Sequence, residues 1–132
     1  MKLTSIIMLK EREINEDKII IKMSSPIICR NHDKTTLKDM YYAYDKEEFQ
    51  KYIRINIEEQ LIAENLNIQL LNNFEITPIN AKKIIIPVYE KMIECSLGIF
   101  ELYGNTELLK YLYKAGMGSK KAMGFGLFEI IQ

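Results

Sequence analysis

The sequence predicts an α+β domain with a ferredoxin-like (RRM-like) β-α-β-β-α-β sandwich, an extra N-terminal strand and a C-terminal glycine-rich loop. Three observations predict it. Isoleucine-rich runs of strand length stand before, between and after two stretches of helical periodicity. Polar or proline-bearing segments separate those runs as turns do. The third is "GMGSKKAMGFG", residues 116–126, which places four of the six glycines directly after the second helical stretch.

The elements follow in chain order. "LTSIIMLK" and "KIIIKMSSPIICR" read as two strands joined through the polar "EREINED". Pro26 cannot donate to a ladder, so the second strand is expected to bend, bulge or lie at an edge there. Residues 31–44, "NHDKTTLKDMYYAY", hold neither period and read as a surface loop with aromatic content. Asp45 and Glu48 have the spacing of a capping box, and Phe49, Tyr52, Ile53, Ile57, Leu61 and Ile62 then recur at helical intervals, which predicts a helix from about 46 to 64. From Asn67 to Leu102 the pattern becomes strand-like and is broken by Pro78 and Pro87, as in a long, irregular hairpin. Thr106 is placed to cap a second helix with Leu108, Leu109, Leu112 and Ala115 on its apolar face and Gly116 at its stop. A short final strand closes the chain in "FGLFEII".

At 132 residues and 48% hydrophobic content the chain fits a single domain, residues 1–132. Its 18 basic and 18 acidic residues cancel, so any attraction to a polyanion has to come from local clustering. Cys29 and Cys95 lie in separate apolar runs without zinc or redox spacing and read as buried thiols. No apolar run reaches signal-peptide or membrane-span length, so a cytoplasmic protein without membrane partners is expected. H-E-x-x-H, C-x-x-C and G-x-S-x-G are absent, and neither a metal nor a cofactor is expected.

The glycine segment, G-x-G-x5-G-F-G, follows a helix and opens a strand, the reverse of a dinucleotide fingerprint, and it lacks the ending of a P-loop. Small residues that permit close approach, exposed amides and the adjacent Lys120 and Lys121 are the ingredients of a phosphate-backbone site. The alternative is structural. Gly116 then caps the helix, Gly118 completes a turn, and Gly124 and Gly126 let the last strand pass close to a helix. Four lysines against one glutamate between Leu108 and Gln132 tilt the reading toward binding. A loop plugged beneath its neighbours, with its amides already engaged internally, would collapse the nucleic-acid interpretation.

"AGMGSKKAMGFGLFEII", "KMSSPIICRNHD" and "GIFELYGNTELLKYLYKAG" together closely resemble the C-terminal half of the CRISPR-associated endoribonucleases of the sixth Cas family, in the repeat-associated (RAMP) superfamily, which cut precursor CRISPR RNA within its repeats. The resemblance spans nearly the whole chain. It implies two ferredoxin-like domains side by side, with the glycine-rich loop of the second helping to form the RNA surface. It also implies cleavage without metal, in which the 2′-hydroxyl attacks the adjacent phosphate and leaves a 2′,3′-cyclic phosphate. The assisting groups, often a histidine with a tyrosine and a lysine, usually belong to the N-terminal domain. This chain starts about where the second domain would start, so the resemblance implies that the half supplying them is absent. Its RNA-binding residues are expected among Gly116, Gly118, Ser119, Lys120, Lys121, Gly124, Phe125 and Gly126, with Arg30, Lys34, Lys82 and Lys83 adding to a basic face. CRISPR repeat RNA is the expected partner, with a separate N-terminal half, other Cas proteins or a second copy of the chain as further candidates.

His32 is the lone histidine. Its ordinary pKa suits proton transfer, and Arg30 and Lys34 stand near it in sequence, so a compact ribonuclease using His32 as its catalytic group is an alternative. Against it stand the adjacent Asp33 and the ordinariness of an exposed histidine. Tyr41, Tyr42, Tyr44, Tyr111 and Tyr113 are suited either to stacking on unpaired bases or to packing at the core margin. A third reading, from another class, is a protein-interaction module or half-length mimic that occupies a CRISPR complex and blocks processing.

Overall fold

A computed structural model describes residues 17–33 and 35–131. The expected strand at 3–10 lies outside the described residues, and so does Lys34. Six strands and two α-helices follow in the order β1 (Lys18–Met23), β2 (Arg30–Asp33), β3 (Lys38–Tyr41), α1 (Glu48–Ala63), β4 (Glu75–Val88), β5 (Lys91–Tyr103), α2 (Thr106–Ala115) and β6 (Phe128–Ile130). The main sheet has the order β4-β5-β1-β6 with antiparallel pairing throughout, and β2 with β3 forms a separate hairpin. With α1 and α2 connecting β1 to β4 and β5 to β6, this is the ferredoxin-like arrangement.

Pro26 interrupts the ladder as the sequence requires. β1 ends at Met23, and the chain rejoins β5 one bridge later, at Ile27 opposite Ser96. Both Pro78 and Pro87 lie inside β4 rather than breaking it, because β4 is the edge strand and loses no ladder partner on its outer side. Ile79 is the extra residue of a bulge, since Pro78 pairs with Phe100 while Asn80 pairs with Ile99. Gly98 allows that crowding, for a Cβ there would sit 2.8 Å from Ala81 Cα.

Helix α1 is shorter at its start than expected. Its first turn begins after Glu47, with no side-chain cap, because Asp45 turns its carboxylate to Lys83 Nζ on β4 at 3.5 Å instead of closing a capping box. Helix α2 is capped by Asn105, whose Oδ1 accepts from the Glu107 N–H at 2.8 Å; Thr106 is the first helical residue. "NIQLL", expected to open a strand, is instead a 3₁₀ turn at Ile68–Leu71. Residues 31–44, expected to be a loop, largely form the β2–β3 hairpin.

Phe49, Ile53, Ile57 and Leu61 of α1 and Leu108, Leu109 and Leu112 of α2 bury against Ile21, Phe100 and Leu102 of the sheet. Ile62 is 57% exposed, because about 100° of helical rotation past Leu61 takes it off the stripe. A second, smaller cluster of Ile28, Val88, Ile93 and Cys95 lies under the hairpin, with Tyr41 and Phe125 packed at its margin. Both cysteines are buried and free of any disulfide, and burial pushes the Cys29 thiol up to about 12 and the Cys95 thiol to about 11.

Candidate nucleic-acid interface

The glycine loop is folded into the protein rather than laid open. Gly116 leaves α2 at φ 89° and gives its N–H to Leu112 O at 2.8 Å. The next residues turn inward, and Gly116, Met117 and Gly118 are all buried. Met117 N–H bonds Gly126 O at 3.0 Å, Ser119 N–H bonds Ile28 O at 2.8 Å, and Gly126 N–H bonds Pro26 O at 2.8 Å. A Cβ at Gly118 would lie 2.6 Å from Ile28 O, and one at Gly126 would run into the Met117 backbone. The expectation that a phosphate strand lies on bare glycines at Gly116, Gly118 and Gly126 is therefore corrected. Gly118 and Gly126 are glycine because the loop, the start of the hairpin and the end of α2 share one narrow space, whereas at Gly116 a Cβ would meet only ordinary contacts and the positive φ is what favours glycine. Gly124 differs, being exposed at φ 90° with nothing within 4 Å of a built Cβ.

The sequence reading passed over what holds this loop. Gln60, buried on α1, donates from Nε2 to Gly116 O at 3.1 Å and accepts the Gly118 N–H on Oε1 at 2.8 Å. One turn earlier, buried Asn56 does the same for the hairpin. It accepts the Arg30 N–H and donates to Arg30 O, both at 2.8 Å. Two amides at i and i+4 on an apolar stripe were the available signal. From one helix they fix both candidate segments.

Hairpin register explains what gathers on its face. Arg30 pairs with Tyr41 and His32 with Asp39, so strand alternation sends these four side chains to one side. His32 Nδ1 stands 2.6 Å from Asp39 Oδ1, Tyr41 donates its hydroxyl to Asp39 Oδ2 at 3.4 Å, and Arg30 comes within 3.8 Å of the same oxygen. The His32 hydrogen bond, with the Arg30 charge, holds the Asp39 carboxyl below its ordinary value. Burial, and then the Asp39 charge, push the Tyr41 phenol up. When a neutral imidazole donates through Nδ1, it leaves Nε2 as an acceptor, the arrangement of an oriented base. Among the described residues, no group of three or more His, Cys, Asp and Glu side chains stands close enough to hold a metal ion.

Two clefts flank the hairpin. One, about 230 Å³, is lined by Arg30, Ser119 and Lys121 but also by Glu59 and Glu64 of the α1 end. The other, about 620 Å³, lies between Asp39 and Tyr41 of the hairpin, the β4–β5 turn and Lys120. Lys120 takes a left-handed conformation at φ 59° and carries its Nζ 5.8 Å from the Tyr41 ring centre, while Lys121 Nζ stands 5.9 Å from that of Tyr111. Thus Arg30, Ser119, Lys120 and Lys121 come together around the hairpin and loop.

Lys82 and Lys83 do not join them. Neither lines these clefts, they alternate on edge strand β4, and Lys83 is engaged by Asp45. Phe125 is half-buried against the second core cluster. Tyr42, Tyr44, Tyr111 and Tyr113 pack at the margin of the main core, Tyr42 stacked on Tyr52 at 5.4 Å between ring centres.

Comparison with known proteins bears on the family and the fold. Residues 9–130 match the family described as CRISPR associated protein Cas6, C-terminal. A CRISPR-associated endoribonuclease Cas6 of Methanocaldococcus jannaschii is 27% identical over 113 residues, covering 82% of this chain and 43% of that protein. A Cas6 endoribonuclease-like protein of Pyrococcus furiosus is 37% identical over 60 residues, 46% of this chain and 25% of its own length. The solved structure of a Cas6-related protein from Pyrococcus furiosus superimposes with a TM-score of 0.81 at 28% identity, over 93% of this chain and 51% of that one. Another, described as a RAMP protein binding different RNA substrates, shares the fold at a TM-score of 0.76 and 23% identity, over 88% of this chain and 49% of that one. The chain thus spans from a quarter to about half of the relatives it matches. On the match over residues 9–130, the chain belongs to the Cas6 C-terminal family.

Proposed function

We propose that the chain binds CRISPR repeat RNA, as the C-terminal half of a precursor CRISPR RNA endoribonuclease, through side chains of the hairpin and the loop rather than through glycine amides. The observation that carries this is that Arg30, Ser119 and Lys121 line one of the two clefts beside the hairpin and Lys120 the other, with Asn56 and Gln60 holding the backbone of both segments. In a chain of zero net charge, phosphate contacts have to come from such cations one by one, since each cleft also carries two acids, Glu59 and Glu64 in one and Asp39 and Glu90 in the other. Gel-shift titration with a repeat RNA tests it. Replacing Lys120 and Lys121 together by alanine should weaken binding across sequences and lower the salt slope by roughly two, one per lost phosphate contact. An unchanged slope would remove the lysines from the interface. If a separate N-terminal half completes the enzyme, mixing the two with repeat RNA in EDTA should yield cleavage with a 2′,3′-cyclic phosphate end.

The His32–Asp39 contact favours a second reading, that the lone chain cleaves RNA. His32 Nε2 would take the 2′-hydroxyl proton, the 2′-oxygen would bond to the adjacent phosphorus as its bond to the 5′-oxygen breaks, Arg30 would steady the charge gathering on the phosphate, and the leaving 5′-oxygen would take its proton from solvent. His32→Ala would then abolish cleavage by the isolated chain and leave RNA affinity intact. Intact repeat RNA after incubation with the wild-type chain would discard this reading without touching the binding one.

A further inference from the structure

Tyr89 is placed where a tyrosine is hard to justify on structural grounds. It is the first of two residues joining β4 to β5, with Val88 paired to Lys91 across the turn. Its φ is 57°, a left-handed conformation that two-residue hairpin loops reserve for Gly, Asn or Asp. A bulky side chain there costs backbone energy. Packing does not offset that cost, because the residue is 85% exposed. A strained position that returns nothing to the core is a reason to look for a ligand.

The turn forms one wall of the 620 Å³ cleft, whose other walls carry Tyr41, Ile93 and Lys120. Its volume lies in the range of sites that hold a small organic group. Its polar lining has two cations, Lys91 and Lys120, and two acids, Asp39 and Glu90. Asp39 is already engaged by His32 and Arg30. Among the described residues, neither Lys91 nor Lys120 is seen in an ion pair. Tyr41, Tyr89, Val88 and Ile93 lining a cleft together with two lysines match a flat, π-faced group attached to an anion.

We propose that this cleft takes one unpaired nucleobase of the bound RNA, stacked on the Tyr89 ring, with its flanking phosphates at Lys120 and Lys91. The inference rests on the RNA-binding reading above and gives that face a single-strand specificity. Stacking on tyrosine does not select a base, so the preference is for an unpaired nucleotide rather than for a sequence.

The test titrates the full chain into two fluorescent probes by anisotropy, a single-stranded CRISPR-repeat RNA and an oligouridine of equal length. Tyr89→Ala should weaken both by about 5- to 150-fold, the range for one base on one ring, with the salt slope unchanged. Tyr89→Phe should retain affinity. Tyr89→Asn, whose residue suits the left-handed turn, should raise the melting temperature yet bind as weakly as the alanine variant. An abasic scan of the repeat should find one position whose removal weakens the wild type and has no effect on Tyr89→Ala. Wild-type affinity in Tyr89→Ala overturns this inference and leaves the RNA reading standing. A loss reproduced by Tyr89→Phe also overturns it, since the hydroxyl rather than the ring would then make the contact. Failure of the wild type to bind either probe overturns both.

Discussion

Replacing Gln60 by leucine removes the clamp beneath the glycine loop while nearly preserving side-chain volume. The carboxamide serves two backbone groups that have turned away from solvent, the Gly116 carbonyl and the Gly118 N–H. Each buried group left unpaired costs about 1–3 kcal/mol, and the added apolar burial of leucine returns part of that. A net loss of about 2–4 kcal/mol follows. At this chain length that lowers the melting temperature by roughly 6–15 °C. Urea unfolding followed by circular dichroism measures it as a fall in midpoint at constant m value. Gln60→Glu supplies the control. A carboxylate still accepts from Gly118 but opposes the Gly116 oxygen, so burial and that carbonyl raise its folded pKa above the unfolded value of about 4.3. The variant's stability is therefore fullest below that value, where its protonated carboxyl donates as the amide did, and is lost as pH rises through the folded pKa. An unfolding free energy in Gln60→Leu within about 0.5 kcal/mol of wild type would refute the clamp, because surface substitutions away from special features stay inside that limit.

The glycines should separate by role. Gly118→Ala, with its Cβ driven toward Ile28 O, should lose about 2–4 kcal/mol, whereas Gly124→Ala, in open space, should lose only the left-handed backbone cost of about 1–2 kcal/mol; urea midpoints rank them. Asp39, whose pKa is depressed in the folded chain, contributes stability that is present above the unfolded carboxyl value of about 3.9 and is lost as pH falls through its folded pKa. Asp39→Asn should accordingly flatten the acid limb of a stability–pH profile below about pH 4, and an unchanged limb would contradict the His32 and Arg30 contacts. With their thiols pushed to about 12 and about 11, Cys29 and Cys95 should resist iodoacetamide at pH 8 in the folded chain and react only along the unfolding transition. Rapid native labelling at either would place it at the surface.

The two helices, the strand before the first and the interruption at Pro26 were legible because each depends on local rules, whereas Pro78 and Pro87, expected to break the hairpin, lie inside β4, whose edge position only the sheet pairing sets. Leucine spacing marks α2, Gly116 marks its end, and the missing N–H of Pro26 marks the break after β1. Capping was misread at both helices for one reason. Asp45 and Thr106 each have the right chemistry, but capping is decided by which backbone turn the chain takes, and Lys83 competes for Asp45 from another strand.

The candidate site was half legible. Lys120, Lys121, Ser119 and Arg30 stand out in the sequence by type, and the fold sets them around the two clefts beside the hairpin. Asn56 and Gln60 went unread because buried amides look like solvent-facing ones until the backbone groups they serve are known. Asp39 became visible as a partner of His32 only when hairpin register set them opposite each other.

By itself the sequence determined the β-α-β-β-α-β order of the main sheet and its helices, the apolar stripes that make them pack, and the glycine spacing at residues 116–126, all encoded by neighbours a few positions apart. Only the tertiary structure decided that the glycine loop is a packed joint and not a bare cradle. Amides of Gly118, Ser119 and Gly126 face Gln60, Ile28 and Pro26 from distant parts of the chain. A glycine placed for close approach is the same letter whether a ligand or the protein's own backbone comes near, so local sequence does not distinguish the two.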